Sequence, residues 1–466
     1  MDKRKILLLF LLLTVFYGTR AQRFYQPLAQ FYDWEMQSAA LTDSVERFTL
    51  FKPVLIPEND IDTVCKQKFT DWLYTHFFED DFLKFASKDF SLTVNPVLDM
   101  EIFSQDNAKE DKDYFLNTRG FEIFGRLGKR IHFKTEFFEN QARFLPFTDS
   151  IIKKVKKSIV PAQGHAKAFE VDGLDWAVST ASLTVDVCKN YRVSLGSDRH
   201  FIGSGYRSVI LSHLTFPYPY LRHDVNYKKF YYNLLLAYLY GGRYWYVDSK
   251  KQGFKYSSFH VLGYKPLKNL ELAFILGTMR QKSDKKNSVG YDINFSPLKN
   301  LKLYHQANYQ GKATEKDGSE TTLFSYQAGF HVFDLLFGLV PKLNSHFQAE
   351  YTVSRLDKNQ TEADFWSYNY PMTTPFFMDQ NNGGEFVCFL NLEYYGAGFD
   401  VKFLDRNSSR YRDITLKYFL NKKTKWNLFV SFSRHETSKE YYGADRKDNY
   451  ITAGLAITPM NYYYDF

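Results

Sequence analysis

Several things are scarce in this chain, and each scarcity removes a class of protein. Cysteine occurs three times, at Cys65, Cys188 and Cys388, far apart and with no CxxC spacing. An oxidising compartment permits one disulfide among them, but the odd count argues against a disulfide framework, so three small packed residues are expected. Long apolar runs are missing: after the first two dozen residues nothing approaches the 18 consecutive apolar positions of a membrane helix. No HExxH, GxSxG, P-loop or EF-hand pattern is present, so no catalytic residue, metal or cofactor is expected. Ser212 and His213 are adjacent, and in an extended strand they point to opposite faces rather than forming a nucleophile–base pair. An excess of one charge is lacking too. The formal net charge is +8, and removal of residues 1–21, with four basic residues against one acidic, brings it to +5. With lysines scattered through polar segments, no nucleic-acid stripe is indicated.

What is present begins with the leader. MDKRKILLLFLLLTVFYGTRAQ has a basic start (Lys3, Arg4, Lys5), an apolar stretch from Ile6 to Phe16, and Thr19 and Ala21 at the −3 and −1 positions of a cleavage site. The stretch is too short for a bilayer, which needs about 20 residues. It reads as a cleaved export signal over residues 1–21, with no cysteine for lipid attachment. Aromatics make up 18% of the chain, with 45 Phe and 35 Tyr, while the mean hydropathy is −0.40. An exported, aromatic-rich, moderately polar chain is either a large secreted β protein or an outer-membrane barrel, whose strands need apolar residues only at alternate positions.

Residues 22–89 differ from the rest of the chain. KQKFTDWLYTHFFEDDFLKF places Phe69, Leu73, Phe77, Phe82 and Phe85 near helical spacing, which predicts a small, partly helical cap or plug. From Phe90 to Phe466 strands are expected. RIHFKTEF sets Ile131, Phe133, Thr135 and Phe137 against His132, Lys134 and Glu136; ELAFILG, LKLYHQANY, FQAEYTV, RDITLKYFL and WNLFVSFS read similarly. PLKNL occurs at 266–270 and again at 297–301, each time between two strand-like runs, and Pro and Asn suit a tight turn. RQKSDKKNSVG, VDSKKQGFK, YQGKATEKDGSE and HETSKEYYGADRKD read as longer polar loops at the other end. The terminal NYYYDF is similar to the aromatic-ended last strand that marks barrel assembly, with Pro459 at a bulge. At roughly 21 residues per strand and its connection, residues 90–466 make an all-β, antiparallel transmembrane outer-membrane barrel of about 18 strands.

One segment breaks the alternation: DRHFIGSGYRS, from Asp198 to Ser208. Its glycines, Gly203 and Gly205, permit a bend or a close approach. Asp198, Arg199, His200 and Arg207 are expected to form a paired charge network facing the lumen, because charges in membrane proteins face inward and pair. The longer stretch SLGSDRHFIGSGYRSVILSHLTFPYPYLR (194–222) resembles the signature of the capsule-assembly Wzi family of outer-membrane barrels. The closer similarity is to the branch that includes the gliding-motility protein RemB. NTRGFEIFGRLGKRIHFKTEFFENQARF (117–144), with Asn117, Arg119, Gly120, Glu139, Asn140 and Arg143, is similar to that branch as well. The resemblance covers roughly residues 90–225. It implies an 18-stranded barrel with a helical portion that binds or retains surface polysaccharide, or supports adhesion and gliding, without catalysis. Asp198, Arg199, Gly203, Gly205, Tyr206 and Arg207 carry over as motif positions.

Two further segments are candidates for contact. LDKNQTEADFWSYNYPMTTPFFMDQNNGGEF (356–386) gathers Trp366, Tyr368, Tyr370 and Phe376 with Asn369 and Asp379, the aromatic faces and planar polar groups that hold sugars. A lid folded into the lumen and an interfacial aromatic belt are the competing readings. DSIIKKVKKSIV (149–160) reads as a helix capped by Asp149 or Ser150, lying on anionic lipopolysaccharide, plugging the barrel or simply packed by its apolar stripe. A general diffusion porin is the alternative function, and a barrel hydrolase a lesser one. Surface polysaccharide, the outer membrane with its lipopolysaccharide, and adhesion or motility machinery are the expected partners.

Overall fold

The computed structural model describes residues 28, 30–42, 48–54, 80–106, 113–154, 159–160, 163–170, 172–213, 215–241, 253–281, 284–314, 320–334, 340, 342–356, 382–406, 409–421, 424–438 and 445–457. Eighteen antiparallel strands close into a barrel. They are β1 Phe90–Gln105, β2 Tyr114–Leu127, β3 Ile131–Arg143, β4 Gly173–Cys188, β5 Tyr191–Asp198 and β6 Tyr218–Tyr227. Then come β7 Phe230–Gly241, β8 Gly253–Leu267, β9 Leu270–Gln281, β10 Asp284–Leu298, β11 Leu301–Thr314 and β12 Glu320–Phe333. The circuit ends with β13 Leu343–Leu356, β14 Asn382–Tyr394, β15 Ala397–Arg406, β16 Ser409–Asn421, β17 Trp426–Thr437 and β18 Arg446–Ile457. β18 pairs with β1, from Tyr450 opposite Gln105 to Ile457 opposite Leu98, so the wall has no free first or last edge.

The wall is apolar outside. Along β8, Tyr256, Leu262 and Tyr264 are exposed, whereas Ser257, Phe259 and Val261 are buried on the other face. Tyr256 and Tyr264 stand about 26 Å apart along the strand at 3.3 Å per residue. At a barrel strand tilt of about 40° that is roughly 20 Å of height, most of the apolar band of about 25 Å between two aromatic girdles. Tyr309 and Tyr351 share the upper girdle; Tyr227, Tyr394 and Tyr418 share the lower. A closed barrel with this band is an outer-membrane barrel. RIHFKTEF has the parity its alternation predicts: His132 and Glu136 are buried inside, and Phe137 is exposed outside.

Both PLKNL copies make the same device, a tight turn with Leu267 opposite Leu270 and Leu298 opposite Leu301, preceded each time by a bulge. These turns lie at the short-connection end, with those between β4 and β5, β6 and β7, and β14 and β15. Apart from the two-residue connections after β9 and β15, longer connections join the strands at the other end, which is therefore the outer one.

Three expectations need correction. RQKSDKKNSVG is not a long loop: β9 runs to Gln281 and β10 starts at Asp284, so its charged residues extend a paired hairpin past the membrane. Phe85 lies in a strand, Leu83–Ala86, that pairs back on Ser91–Val94, because the turn at Ser87–Asp89 folds it onto β1. Among the described residues before β1, the helix is α1, Gln30–Thr42. The basic helix starts earlier than its polar cap signal suggested: α2 is Pro146–Lys154, with proline in the first turn where its missing N–H costs nothing. Phe147 and Ile152 of α2 are buried in clusters with inward side chains of the wall, so this helix packs into the barrel. Residues 1–27, 55–79, 357–381 and 458–466 lie outside the described residues, and with them the leader, most of the 66–85 segment, the core of the aromatic segment and NYYYDF.

Candidate functional site: the filled lumen

β5 ends at Asp198, and the chain turns into the lumen rather than continuing up the wall. Every residue from Phe201 to Ser212 is buried. A folded segment this deep needs partners for its backbone groups, and the wall supplies them as side chains. Glu350 of β13 accepts the N–H groups of Tyr206 (2.7 Å) and Arg207 (3.2 Å). Gln306 of β11 accepts from the Val209 N–H and donates to the Ile202 carbonyl, each at 2.9 Å. Gln327 of β12 donates to the Arg207 carbonyl (2.9 Å), and Asn308 of β11 to that of Val209 (2.9 Å). Ser208 closes the turn by donating to the Ile202 carbonyl, while its Oγ accepts the N–H groups of Ile210 and Leu211.

The glycines have specific reasons. Gly203 holds φ at +144°, a left-handed value that disfavours side chains. At Gly205 a Cβ would come within 2.2 Å of a Glu350 carboxylate oxygen and 2.6 Å of the Gln327 amide oxygen. Only a residue without a side chain lets the backbone reach its acceptor there.

The charges separate into two clusters instead of one network. Arg207 donates to Glu385 of β14 (3.1 Å), and Arg406 of β15 holds the other carboxylate oxygen at 2.5 Å; Glu385 is wholly buried between them. The Arg207 guanidinium also lies 4.5 Å from the Tyr206 ring centre, and Lys402 donates to the Tyr206 hydroxyl (2.8 Å). Asp198 belongs to the second cluster. It accepts the Arg199 N–H (2.8 Å) and faces Lys134 (3.6 Å), which also pairs with Glu136 (2.8 Å). His200 is in neither: its ring sits against Phe51 and Tyr220, with Tyr218 OH at 3.3 Å from Nδ1. Burial, with the charges of Arg199, Lys52 and Arg207, pushes the His213 imidazole down to about 3, so it is neutral at ordinary pH.

The N-terminal residues add a second layer. Phe51–Lys52 pairs as a strand with Phe201–Ile202. In α1, Asp33 binds Lys52 (2.7 Å), and Trp34 donates to Gln348 (3.2 Å) with its ring 4.3 Å from that of His346. Gln37 donates to the Ser204 carbonyl at 3.4 Å and accepts from Lys302 at 3.2 Å. His331 donates to the same carbonyl (2.9 Å), which fixes its other nitrogen as acceptor from His346 (3.0 Å). The filling therefore carries hydrogen bonds from wall strands around much of the circumference. Inward polar residues such as Asn95, Thr118, Arg222, Asp292, Gln327 and Thr452 are all below one-tenth exposed, whereas an open 18-stranded pore would leave them wet.

Glu350, Glu385, Gln306 and Gln327 were not singled out by the sequence. Each reads as one more inward polar residue of an alternating strand. The structure leaves Trp366, Tyr368, Asn369, Tyr370, Phe376 and Asp379 outside its described residues, although β13 and β14 place their connection at the outer end.

No protein-family model matches the chain, and no curated protein sequence matches it. Among solved structures it is similar to OccK8 (OprE) of Pseudomonas aeruginosa, at 10% identity and a TM-score of 0.46, over 78% of this chain and 97% of that one. OccAB1 of Acinetobacter baumannii gives 11% and 0.47 over 79% and 95%. The outer membrane protein OprD of Pseudomonas aeruginosa gives 11% and 0.45 over 81% and 97%. Likeness at this level carries nothing about what the chain binds or passes.

Proposed function

We propose that the protein is a plugged outer-membrane barrel that holds polysaccharide at the cell surface, in support of capsule retention, adhesion or gliding, and is neither an open porin nor an enzyme. The observation behind this reading is the buried segment from Phe201 to Ser212, which folds into the lumen onto wall side chains that receive its backbone groups. A general diffusion pore keeps that space for water. The glycan rests on the resemblance of residues 194–222 to the Wzi family and its RemB-like branch. It rests also on Trp366, Tyr368 and Tyr370, with Asn369, Phe376 and Asp379, in the outer connection between β13 and β14. Export is taken to proceed with removal of residues 1–21.

A Trp366→Ala/Tyr368→Ala double variant tests the reading. It is expected to assemble normally, with an unaltered heat-dependent shift in gel mobility, and to release labelled surface polysaccharide into the medium. Wild-type glycan retention by this variant would remove the glycan from the reading.

A channel that opens when its filling withdraws is the second reading. It is favoured by the polar wall behind the segment, since Glu350, Glu385, Gln306 and Gln327 would line a wet passage once released. Steady conductance of the purified protein in planar bilayers would support this reading over the first.

A further inference from the structure

Outward positions on β15–β18 follow an order that a plain lipid-facing wall does not need. Ile414, Phe432 and Ile451 form one apolar row across β16, β17 and β18. Directly above it, toward the outer end, Arg412 of β16 stands opposite Arg434 of β17. One row higher, Arg410 is opposite Glu436, and Glu436 is opposite Lys447 of β18. Arg410 is paired with Asp405 (3.1 Å) and Arg434 with Glu436 (2.8 Å). Arg412 lies over the Phe403 ring at 5.9 Å and has no carboxylate partner among the described residues. Among the described residues, four cations thus stand with Asp405, Glu436 and, beyond Asn449 in the Arg412–Arg434 row, Asp106, so cations are in excess on this exposed outer surface. Like charges directly opposite on neighbouring strands repel, and two arginines so placed present forks to one planar or tetrahedral anion.

A second feature lies beneath the first. An open groove of about 850 Å³ runs down the wall under the Ile414–Phe432–Ile451 row, between Leu416, Val430 and Ile102, with Ala453 as its floor. Ala453 pairs with Val430 on one side and Ile102 on the other, so a small residue stands between two bulky ones. A cationic cluster at the outer rim of the apolar band, above an apolar groove, matches a molecule with phosphate on top and hydrocarbon below.

We propose that Arg412 and Arg434, flanked by Arg410 and Lys447, dock the phosphate of an outer-leaflet glycolipid, one of whose acyl chains lies in the groove over Ala453. The site is on the outside of the wall, separate from the filled lumen and independent of the polysaccharide reading. Diphosphoryl lipid A, its dephosphorylated form and inorganic phosphate, each added to detergent-solubilised protein, separate the sources of the contact. Binding is read by native mass spectrometry and the thermal midpoint. Wild type is expected to bind diphosphoryl lipid A about tenfold more tightly than Arg412→Gln/Arg434→Gln, the order expected for lost charge-assisted hydrogen bonds. The dephosphorylated form should bind both alike, and Ala453→Phe should weaken both lipids by filling the groove. Equal binding of the two lipids by wild type overturns the phosphate contact. Stabilisation by inorganic phosphate as large as that by lipid A makes this a free-anion site and overturns the lipid. Arg412→Gln alone covers the case in which the double variant fails to fold. Without lipid it should be at least as stable as wild type, because it relieves a repulsion; lower stability would overturn the claim that Arg412 awaits an anion.

Discussion

Two parts of the inner wall receive the same short segment in opposite ways. β7–β9 turn apolar residues inward: Leu235, Leu239, Phe259, Val261, Ala273, Ile275 and Met279, covered by Val209, Ile210 and Leu211. β10–β14 turn Asp292, Gln306, Gln327, Glu350 and Glu385 inward, and against them lie Ser204, Tyr206 and Arg207. Both parts keep the strand period of two and an apolar outer face. The inward face is thus set by the piece of chain it meets rather than by the membrane. ELAFILG belongs to the first kind: Ala273 and Ile275 face in, Phe274 and Leu276 face out, and only Glu271 supplies the polar alternation expected of the segment. The apolar part attracts without direction, whereas the polar part fixes one register, because a shift by one residue would strand several donors and acceptors at once.

The comparison can be broken most sharply at Glu385. Its removal in Glu385→Ala leaves Arg207 and Arg406 buried side by side with their shared counter-charge gone. A broken buried ion pair costs about 3–5 kcal/mol, so the urea midpoint of the barrel in lipid vesicles should fall well below that of wild type. Current bursts in planar bilayers are expected as well, since this contact ties the segment to β14. An unchanged midpoint would mean that the polar half contributes no more than surface contacts do.

On the apolar half the matching test is Leu211→Ala, at a side chain that is 1% exposed. Truncating a buried leucine costs about 2–5 kcal/mol, depending on how far the cavity collapses. In this setting the lower part of that range is expected, because Ile202, Val209 and Ile210 are neighbours in the same cluster and can shift inward. The same urea titration reads the loss, and conductance should stay silent because the polar anchors remain. If Leu211→Ala conducts and Glu385→Ala does not, the roles of the two halves are reversed.

Much of this arrangement was legible in the sequence and some of it was not, for a physical reason. Period-two alternation sets which side chains of β3 and β13 face inward, turn chemistry marks the PLKNL hairpins, and the glycines of DRHFIGSGYRS signal a segment in close contact. The partners of that segment are another matter. Gln306 meets Val209 across 97 positions, Glu350 meets Tyr206 across 144 and Glu385 meets Arg207 across 178. Nothing local distinguishes these three from other inward polar residues; closure of the barrel brings them to the segment. α1 escaped notice for a related reason. It is held through Asp33 and Gln37 by polar groups and through Trp34 alone against Gln348, His346 and Phe389, so it lacks the apolar stripe by which helices are found. The 66–85 segment had such a stripe, yet its end at Phe85 pairs as a strand, because hydrogen bonding to β1 overrides local spacing.

The smallest effect is expected at a pair with the same chemistry in a different place. Arg119 of β2 donates to Glu139 of β3 at 3.2 Å, close to the 3.1 Å of Arg207 and Glu385. Both partners are about half exposed, at 53% and 52%, on the outer face above the Phe121–Phe137 contact. There each charge keeps most of its hydration, and an exposed pair contributes about 0–1 kcal/mol. Arg119→Gln should therefore move the urea midpoint by no more than about a third of the shift from Glu385→Ala, with any difference shrinking as salt rises. The control is informative because the two bonds differ little in length and atom types, so what separates them is burial and the second arginine, Arg406, on Glu385. A large, salt-insensitive loss in Arg119→Gln would place that pair in a low-dielectric setting and would undo the division between a hydrated outer rim and a dry, filled lumen.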